Sequence, residues 1–513
     1  MTTYRQRARR ARLGDLRGPD PTRRQNLVLH VVGLSLAVAG VGQIVSAAVE
    51  TIDGGPDVAP LLTVGVVVSA AGFALWRLTG VPAKIVPLDV FTTVTSAWLA
   101  MAVVGAVPYL AAGALGTFDD ALFESVSGFT TTGATVLRPI EDASAGILFW
   151  RSISQWLGGM GVIVLVVAVL PTFGSGGMDL LEAEAPGPTG ERLTPRVANT
   201  ARRLWAVYVG FTVVVAAAYM VAGMSLYDGV SHSFTTVSTG GFSPYNRSIG
   251  HFESAAIEWI AIVAMFVAGS SFTLLFKLLR GSVTPVLQSI ELRLYITVVL
   301  VAAAAVFVTA DGPGHGADGV RHSLFAVLTV VSTTGYATDD FAAWSQAAQA
   351  ILLAMMPVGA MAGSTAGGVK MIRVLAIASH AHRETLRHLH PRLVRPVRLG
   401  DSVLDDKVAD RVLGFFVLAL ATFGSAGILM AMAGDDLITA FSASATLFGN
   451  VGPGLAEVGP AEDFLNLSRF GRLVGIGVML LGRLEIYPIL LALVALPLSG
   501  PRKRLARILA PLR

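Results

Sequence analysis

Four stretches of the chain share one device, a polar, helix-sized segment that runs into a glycine between long apolar runs. They are Ser125–Thr135 (SVSGFTTTGAT), Ser233–Ser243 (SFTTVSTGGFS), Ala326–Thr338 (AVLTVVSTTGYAT) and Ser444–Gly454 (SATLFGNVGPG). Gly133, Gly241, Gly335 and Gly452 fall at the same place in each. Irregular backbone at membrane depth is tolerated only where it is buried in protein or lines a water-filled cavity. Glycine-centred loops that expose carbonyls, repeated around one axis, are what a single polypeptide needs to build a cation filter. The pattern predicts an ion-conducting membrane protein.

Composition agrees. Hydrophobic residues make up 53% and charged residues 14% of 513, far outside the range of soluble domains. Runs long enough to cross about 30 Å of hydrocarbon occur near 26–49, 58–80, 90–113, 147–171, 203–224, 255–280, 291–310, 346–377, 411–433 and 470–497. Ten spans put both termini on one side. The expected fold is an all-α integral membrane protein: two leading helices, then four pseudo-repeats of helix, re-entrant pore helix with filter loop, and helix around one pore. The boundaries read as a basic arm (1–25), the leading helices (26–85) and pore repeats at 90–175, 200–282, 288–378 and 408–498. A basic connector (379–407) and a basic tail (499–513) complete the chain. With no cysteine, disulfides, thiolate metal sites and cysteine nucleophiles are excluded.

Charge tests the layout independently of hydropathy. The segments expected inside carry the terminal arginines, Arg192, Arg196, Arg202, Arg203, Lys277, Arg280, Arg293 and the run from Lys370 to Arg411. The opposite segments are acidic, with Asp119, Asp120, Glu124, Glu141, Asp228, Asp339, Asp340, Asp435, Asp436, Glu462 and Asp463 among them. The asymmetry predicts a multi-pass protein of the cell (inner, cytoplasmic) membrane with both termini in the cytoplasm. It also argues against a nucleic-acid partner, because the basic residues sit where topology alone would put them. The acidic fringe would raise the cation concentration at a pore mouth, although each carboxylate is also ordinary solvated loop chemistry.

A dehydrated cation needs several oxygen ligands, and backbone carbonyls supply them without burying a formal charge. Glycine lets successive carbonyls turn toward one axis at the least steric cost. The candidate filter is therefore Thr131, Thr132, Gly133; Thr239, Gly240, Gly241; Thr333, Thr334, Gly335; and Asn450, Val451, Gly452. Potassium is expected at the carbonyls of Thr132, Gly240, Thr334 and Val451. Half-helices aimed with their carbonyl ends at the centre would favour a cation. The loops differ, two Thr-Thr-Gly, one Thr-Gly-Gly and one Asn-Val-Gly-Pro, so one or two strong ion sites are expected. A lone loop of this kind reads first as a helix C-cap; four at matching places between paired spans reverse that and favour the filter.

At these residues the chain resembles the TrkH and KtrB superfamily of potassium transporters, most nearly its TrkH branch. The resemblance extends to Trp150–Pro171, Glu184–Ala201, Ala362–Arg373 (AGSTAGGVKMIR) and Leu481–Leu490 (LGRLEIYPIL), and spans about 26–500. It implies potassium uptake through a channel-like pore and a homodimer with one pore per chain. It also implies a cytosolic TrkA-type RCK nucleotide-binding regulatory subunit that senses ATP/ADP or NAD(H). Potassium is the transported ion, and no covalently bound cofactor is expected. The arginine-rich first 25 residues are not part of the family pattern.

In the eighth apolar run, Pro357, Gly359, Gly363, Ser364, Thr365, Gly367 and Gly368 break what would be a continuous helix. By similarity to the family this is an intramembrane gating loop beneath the filter; the alternative is a kink for close helix packing. Lys370 follows the loop, and Arg483 is ionisable inside the last span, a costly placement that marks function or pairing. Arg483 is expected to pair with Glu485 or to cap loop carbonyls, and Lys370 either joins the gate or snorkels to the interface. Gly158, Gly159 and Gly161 suit close helix approach, and Glu124 and His232, equally placed before their loops, read as pore-helix starts. His380, His382, His388 and His390 read as a solvated connector contacting a cytosolic partner rather than a metal site. No phosphate-binding loop or nucleophile elbow appears, so an enzyme is not expected. A coupled secondary transporter is the competing class, because such carriers also use broken helices.

Overall fold

The computed structural model describes residues 24–82, 85, 87–169, 194–311, 316–390, 396–400 and 402–495. The terminal basic arm up to residue 23, the basic tail, Arg192 and most of the Glu184–Ala201 motif lie outside them. The leading helices are α1 (Leu27–Asp53) and α2 (Val58–Leu78). Asn26 caps α1 by accepting from the Leu29 amide. The two helices approach backbone to backbone: a Cβ on Gly40 would stand 2.7 Å from the Gly65 carbonyl oxygen, and one on Gly72 2.7 Å from that of Gly33. This is the small-residue packing that membranes favour.

Four repeats follow. The first is α3 (Pro87–Ala111), pore helix α4 (Phe118–Phe129) and α5 (Ala145–Val169). The second is α6 (Thr194–Val221), pore helix α7 (Leu226–Val237), α8 (Ala255–Ala268) and α9 (Phe272–Leu279). The third is α10 (Ile290–Thr309), pore helix α11 (Gly316–Val331), α12 (Gln346–Met355) and α13 (Met371–Leu389). The fourth is α14 (Asp406–Met432), pore helix α15 (Leu437–Gly449), α16 (Arg469–Arg483) and α17 (Ile486–Ala495). A short antiparallel hairpin, Val397–Leu399 with Ser402–Leu404, packs between α13 and α14 through Val397, Leu399, Ala376 and Val408.

The expected spans are not all straight helices. Among the described residues α1, α2, α3, α6, α10 and α14 are each long and apolar enough to cross a membrane, six in all. The pairs α8–α9 and α16–α17, bent by 101° and 109°, raise the number to eight. The two other expected spans are α5, whose side chains beyond Gly161 lie outside the description, and the run from 346, which is split between α12 and α13. Hydropathy adds residues without regard to direction, so it registers neither bend. Large apolar side chains such as Val213, Val214, Val301 and Leu420 face outward, which suits a lipid surround. Besides the small cluster at the hairpin, the buried ones among the described residues form two large clusters, one mainly from repeats two and three and one mainly from the leading helices with repeats one and four. The polar loops meet between these halves.

Candidate ion filter and gate

Every pore helix ends in the same way. Thr131, Thr239, Thr333 and Asn450 adopt left-handed backbone, with φ of 53°, 55°, 58° and 54°. Each donates its N–H three residues back, to Gly128, Thr236, Val330 and Leu447, at 3.0–3.3 Å. The following N–H groups, of Thr132, Gly240, Thr334 and Val451, reach five residues back to Ser127, Thr235, Thr329 and Thr446 at 2.8–2.9 Å. This pair of bonds is the Schellman cap. The helix-cap reading is thus correct for the bonding, but the cap residue is a threonine or asparagine, not the glycine. A β-branched residue in this region is an outlier that costs about 1–2 kcal/mol. Thr131, Thr239 and Thr333 carry that strain. Asn450, of a type that tolerates the conformation, is the one sequence signal that marks the position.

The glycines follow two residues later, again left-handed, with φ of 83°, 76°, 78° and 107° at Gly133, Gly241, Gly335 and Gly452. Their missing side chains leave room for the next repeat. A Cβ on Gly133 would overlap the carbonyl oxygen of Gly240, one on Gly241 that of Thr334, and one on Gly335 that of Val451. A Cβ on Gly452 would stand 2.8 Å from the carbonyl oxygen of Thr132. The series returns to its start, so the loops form a closed ring of four. All four glycines line one cavity of about 370 Å³, together with Arg138, Phe242, Tyr245, Glu462 and Asp463. Each pore helix runs into the ring by its carbonyl end, where the helix dipole is negative.

The mouth is less bare than an acidic fringe. Glu462 and Asp463 line the cavity, but both are held by Arg138, whose Nη2 lies 3.3 Å from Glu462 and whose Nε bonds Asp463. Burial pushes the Asp463 carboxyl up from its ordinary value, against the pull of the Leu465 amide and Arg138. Asp119 and Asp120 are bound by Arg469 (2.8 Å) and Arg472 (2.9 Å), which tie the first repeat to the fourth. Arg469 holds the Asp119 carboxyl below its ordinary value.

Beneath the ring, residues 356–370 connect α12 and α13. The neck is a pair of strands in near contact: the Val369 N–H donates to Pro357 (2.9 Å) and the Lys370 N–H to Val358 (2.9 Å). Gly359 and Gly368, at φ of 71° and 73°, pass so closely that a Cβ on Gly368 would stand 2.8 Å from the Gly359 Cα. The tip reaches three pore helices. Thr365 Oγ1 donates to the Val237 carbonyl (3.0 Å), the Gly367 N–H donates to Thr333 Oγ1 (2.7 Å), and Gly367 abuts the Gly449 carbonyl. Gly363 accepts from Phe272 at the α8–α9 bend, and Ser364 folds back on Met361. Arg483, 4% exposed, donates from Nη1 to the Thr365 carbonyl at 2.7 Å, while its Nε and Nη2 have no hydrogen-bond partner. The pairing of Arg483 with Glu485 does not occur: Glu485 binds Arg373 at 2.8 Å. Arg483 caps the loop instead, because α16 ends at it and the chain turns at Glu485 (φ 58°), carrying the carboxylate away. Lys370, itself at φ 79°, places its ammonium on the Ala366 carbonyl.

A model of the cation transport protein family TrkH matches residues 63–310 and 286–500. The chain belongs to the TrkH family. It is 36% identical over 475 residues to the Trk system potassium uptake protein TrkH of Vibrio parahaemolyticus, covering 91% of this chain and 98% of that one. It is 38% identical over 408 residues to the TrkH of Halomonas elongata, covering 78% and 84%. The crystal structure of the potassium transporter TrkH from Vibrio parahaemolyticus superimposes with a TM-score of 0.84 at 34% identity, covering 92% of this chain and 98% of that chain. The chain is thus a multi-pass member of a cation transport family.

Sequence reasoning missed Arg151 and Gln155, and misplaced Glu124 and His232, among the residues of this TrkH-family chain that brace the ring from behind. Glu124 and Arg151 form a fully buried ion pair at 2.8 Å. The Glu124 carboxylate accepts from Thr135 Oγ1 and from the Val136 N–H (2.9 Å), while Arg151 donates to Thr135 Oγ1 (3.1 Å) and the Ser243 carbonyl (3.0 Å). Arg151 also lies 4.0 Å above the Phe242 ring. Glu124 and His232 do not start their pore helices; each is the seventh residue, and His232 Nε2 meets Ser243 Oγ at 3.0 Å as Glu124 meets Thr135. Both hold the residue two past the glycine, which explains their matching intervals. Gln155, buried on α5, bonds the second loop directly. Gly158 and Gly159 let α5 approach Phe129 and Ser238, at the ends of the first two pore helices. His380 meets the Arg383 guanidinium at 3.3 Å.

Breaking a buried ion pair leaves an uncompensated charge and costs about 3–5 kcal/mol. Glu124→Gln is therefore expected to lower the thermal unfolding midpoint of detergent-purified protein sharply, whereas Asp119→Asn, at an exposed arginine, shifts it little. Equal midpoints for the two variants would contradict the bracing role of the pair.

Proposed function

We propose that the protein takes up potassium across the inner membrane through the ring, and that residues 359–370 gate the pathway. Hydrated potassium enters the cavity above the glycines and exchanges water for the carbonyls of Thr132, Gly240, Thr334 and Val451. It then meets the loop held by Thr333, Val237 and Arg483. The observation that carries this reading is the cyclic succession in which each glycine makes room for the carbonyl of the next repeat. Carbonyl ligands in such a ring stabilise a cation without a buried countercharge. The relatives' names, Trk system potassium uptake proteins, support potassium as the ion. The activity is transport, not catalysis. The positive charge of the predicted inner segments supports cytoplasmic termini. The working form is a homodimer regulated by a cytosolic TrkA-type nucleotide-binding subunit.

Purified protein in liposomes with an outward-to-inward potassium gradient tests this. Rubidium tracer should accumulate according to the potassium electrochemical gradient, and accumulation should persist after proton and sodium gradients are collapsed. A strict requirement for either gradient would favour coupled transport and overturn the pore.

A further inference from the structure

The ring is not electrically symmetric. Among the described residues, the Gly240 carbonyl is the one ring carbonyl of the four with a protein donor: Gln155 Nε2 lies 2.6 Å from it. The amide orientation is fixed by chemistry. The Phe242 N–H can only donate, and it points at Gln155 Oε1 at 3.0 Å, which leaves the NH₂ group for Gly240. Gln155 is fully buried, and its Nε2 lies 3.8 Å from where a Cβ on Gly133 would be, at the seam of the first and second loops. It spans Gly241 like a staple, holding the carbonyl before it and the N–H after it.

A hydrogen bond occupies part of the lone-pair density that a cation would use, and it aims the positive end of an amide dipole at the ion. Both effects weaken the field of that quadrant. A weaker field disfavours the smaller, more strongly hydrated ion, because its dehydration is then less well compensated. We propose that Gln155 is a positioning residue that sets cation discrimination by weakening the second quadrant of the ring, an inference that rests on the filter reading above. Among the described residues no second donor reaches the Gly240 carbonyl, so the effect resides in one side chain.

The test compares wild type, Gln155→Glu and Gln155→Met in liposomes, measuring the apparent affinities for potassium and sodium and the maximal potassium flux. Glutamate still accepts from Phe242 but cannot donate to Gly240 and adds negative charge; methionine keeps the length and loses both bonds. A net hydrogen bond is worth about 1 kcal/mol, and 1.4 kcal/mol is a factor of ten. Gln155→Glu should therefore cut the potassium-to-sodium affinity ratio by about fivefold or more, with maximal potassium flux changing far less. Gln155→Met should shift the ratio in the same direction by a smaller factor. Ratios within about twofold of wild type in both variants, or a uniform loss of flux at unchanged ratio, would overturn the proposal. Unfolding of both variants would do so too, since the amide's role would then be structural. A wild type that does not discriminate potassium from sodium would instead sink the filter reading itself.

Discussion

Deleting residues 363–368 is expected to raise potassium flux in the absence of any regulatory subunit. The deletion removes Thr365 and Gly367, and with them the bonds from the loop tip to Val237 and Thr333 at the inner ends of two pore helices. The deletion takes Gly368 from the neck but spares its two bonds, Val369 to Pro357 and Lys370 to Val358. A gentler variant makes the same point. Arg483→Ala removes the donor to the Thr365 carbonyl and with it a buried positive charge beneath the loop tip. A hydrogen bond to a charged group is worth about 1.5–3 kcal/mol, so release of the loop should increase unregulated flux by about tenfold or more. Tracer uptake into liposomes measures both. Unchanged flux in the deletion and in Arg483→Ala would remove the gate assignment and return these residues to a packing kink.

Adding a side chain at the ring glycines is expected to weaken discrimination between potassium and sodium strongly. Two costs add. An L-residue in the left-handed region loses about 1–2 kcal/mol, and the new Cβ must displace the carbonyl of the neighbouring repeat. Displacing one ligand of four alters the site for every ion that enters, so Gly241→Ser and Gly335→Ser should each lower the selectivity ratio by about tenfold or more. The overlap is least at Gly452, where the Thr132 carbonyl oxygen stands 2.8 Å away. Gly452→Ser should therefore be the mildest of the set in ion-competition assays. Retained selectivity in all four serine variants would show that the ion does not depend on these carbonyls.

The two predictions differ in what was readable beforehand. The ring glycines were legible because the need is local: a polar helix ending at membrane depth requires a residue that accepts positive φ, and four copies stand out from apolar surroundings. The same local logic marked Gly359, Gly363 and Gly368. It failed at Thr131, Thr239 and Thr333, whose type argues against the left-handed backbone they adopt. There the cap bonds and the packed ring outweigh the intrinsic cost, and no window of sequence contains that balance. Arg483 was legible as an expensive residue in a span, but its partner was not. The nearest carboxylate in sequence, Glu485, lost to a carbonyl 118 residues away because the chain turns between them.

By itself the sequence determined that the chain lives in a bilayer, that it carries four like units, and where each unit must expose its backbone, because hydropathy and glycine's conformational freedom act over a few residues. Only the tertiary structure decided that the units close on one another, that Gln155 singles out one carbonyl, that Glu124 and Arg151 brace two loops at once, and that α8–α9 and α16–α17 bend. Each of these depends on groups brought together from distant parts of the chain, and their energies come from distances and directions that sequence spacing does not encode.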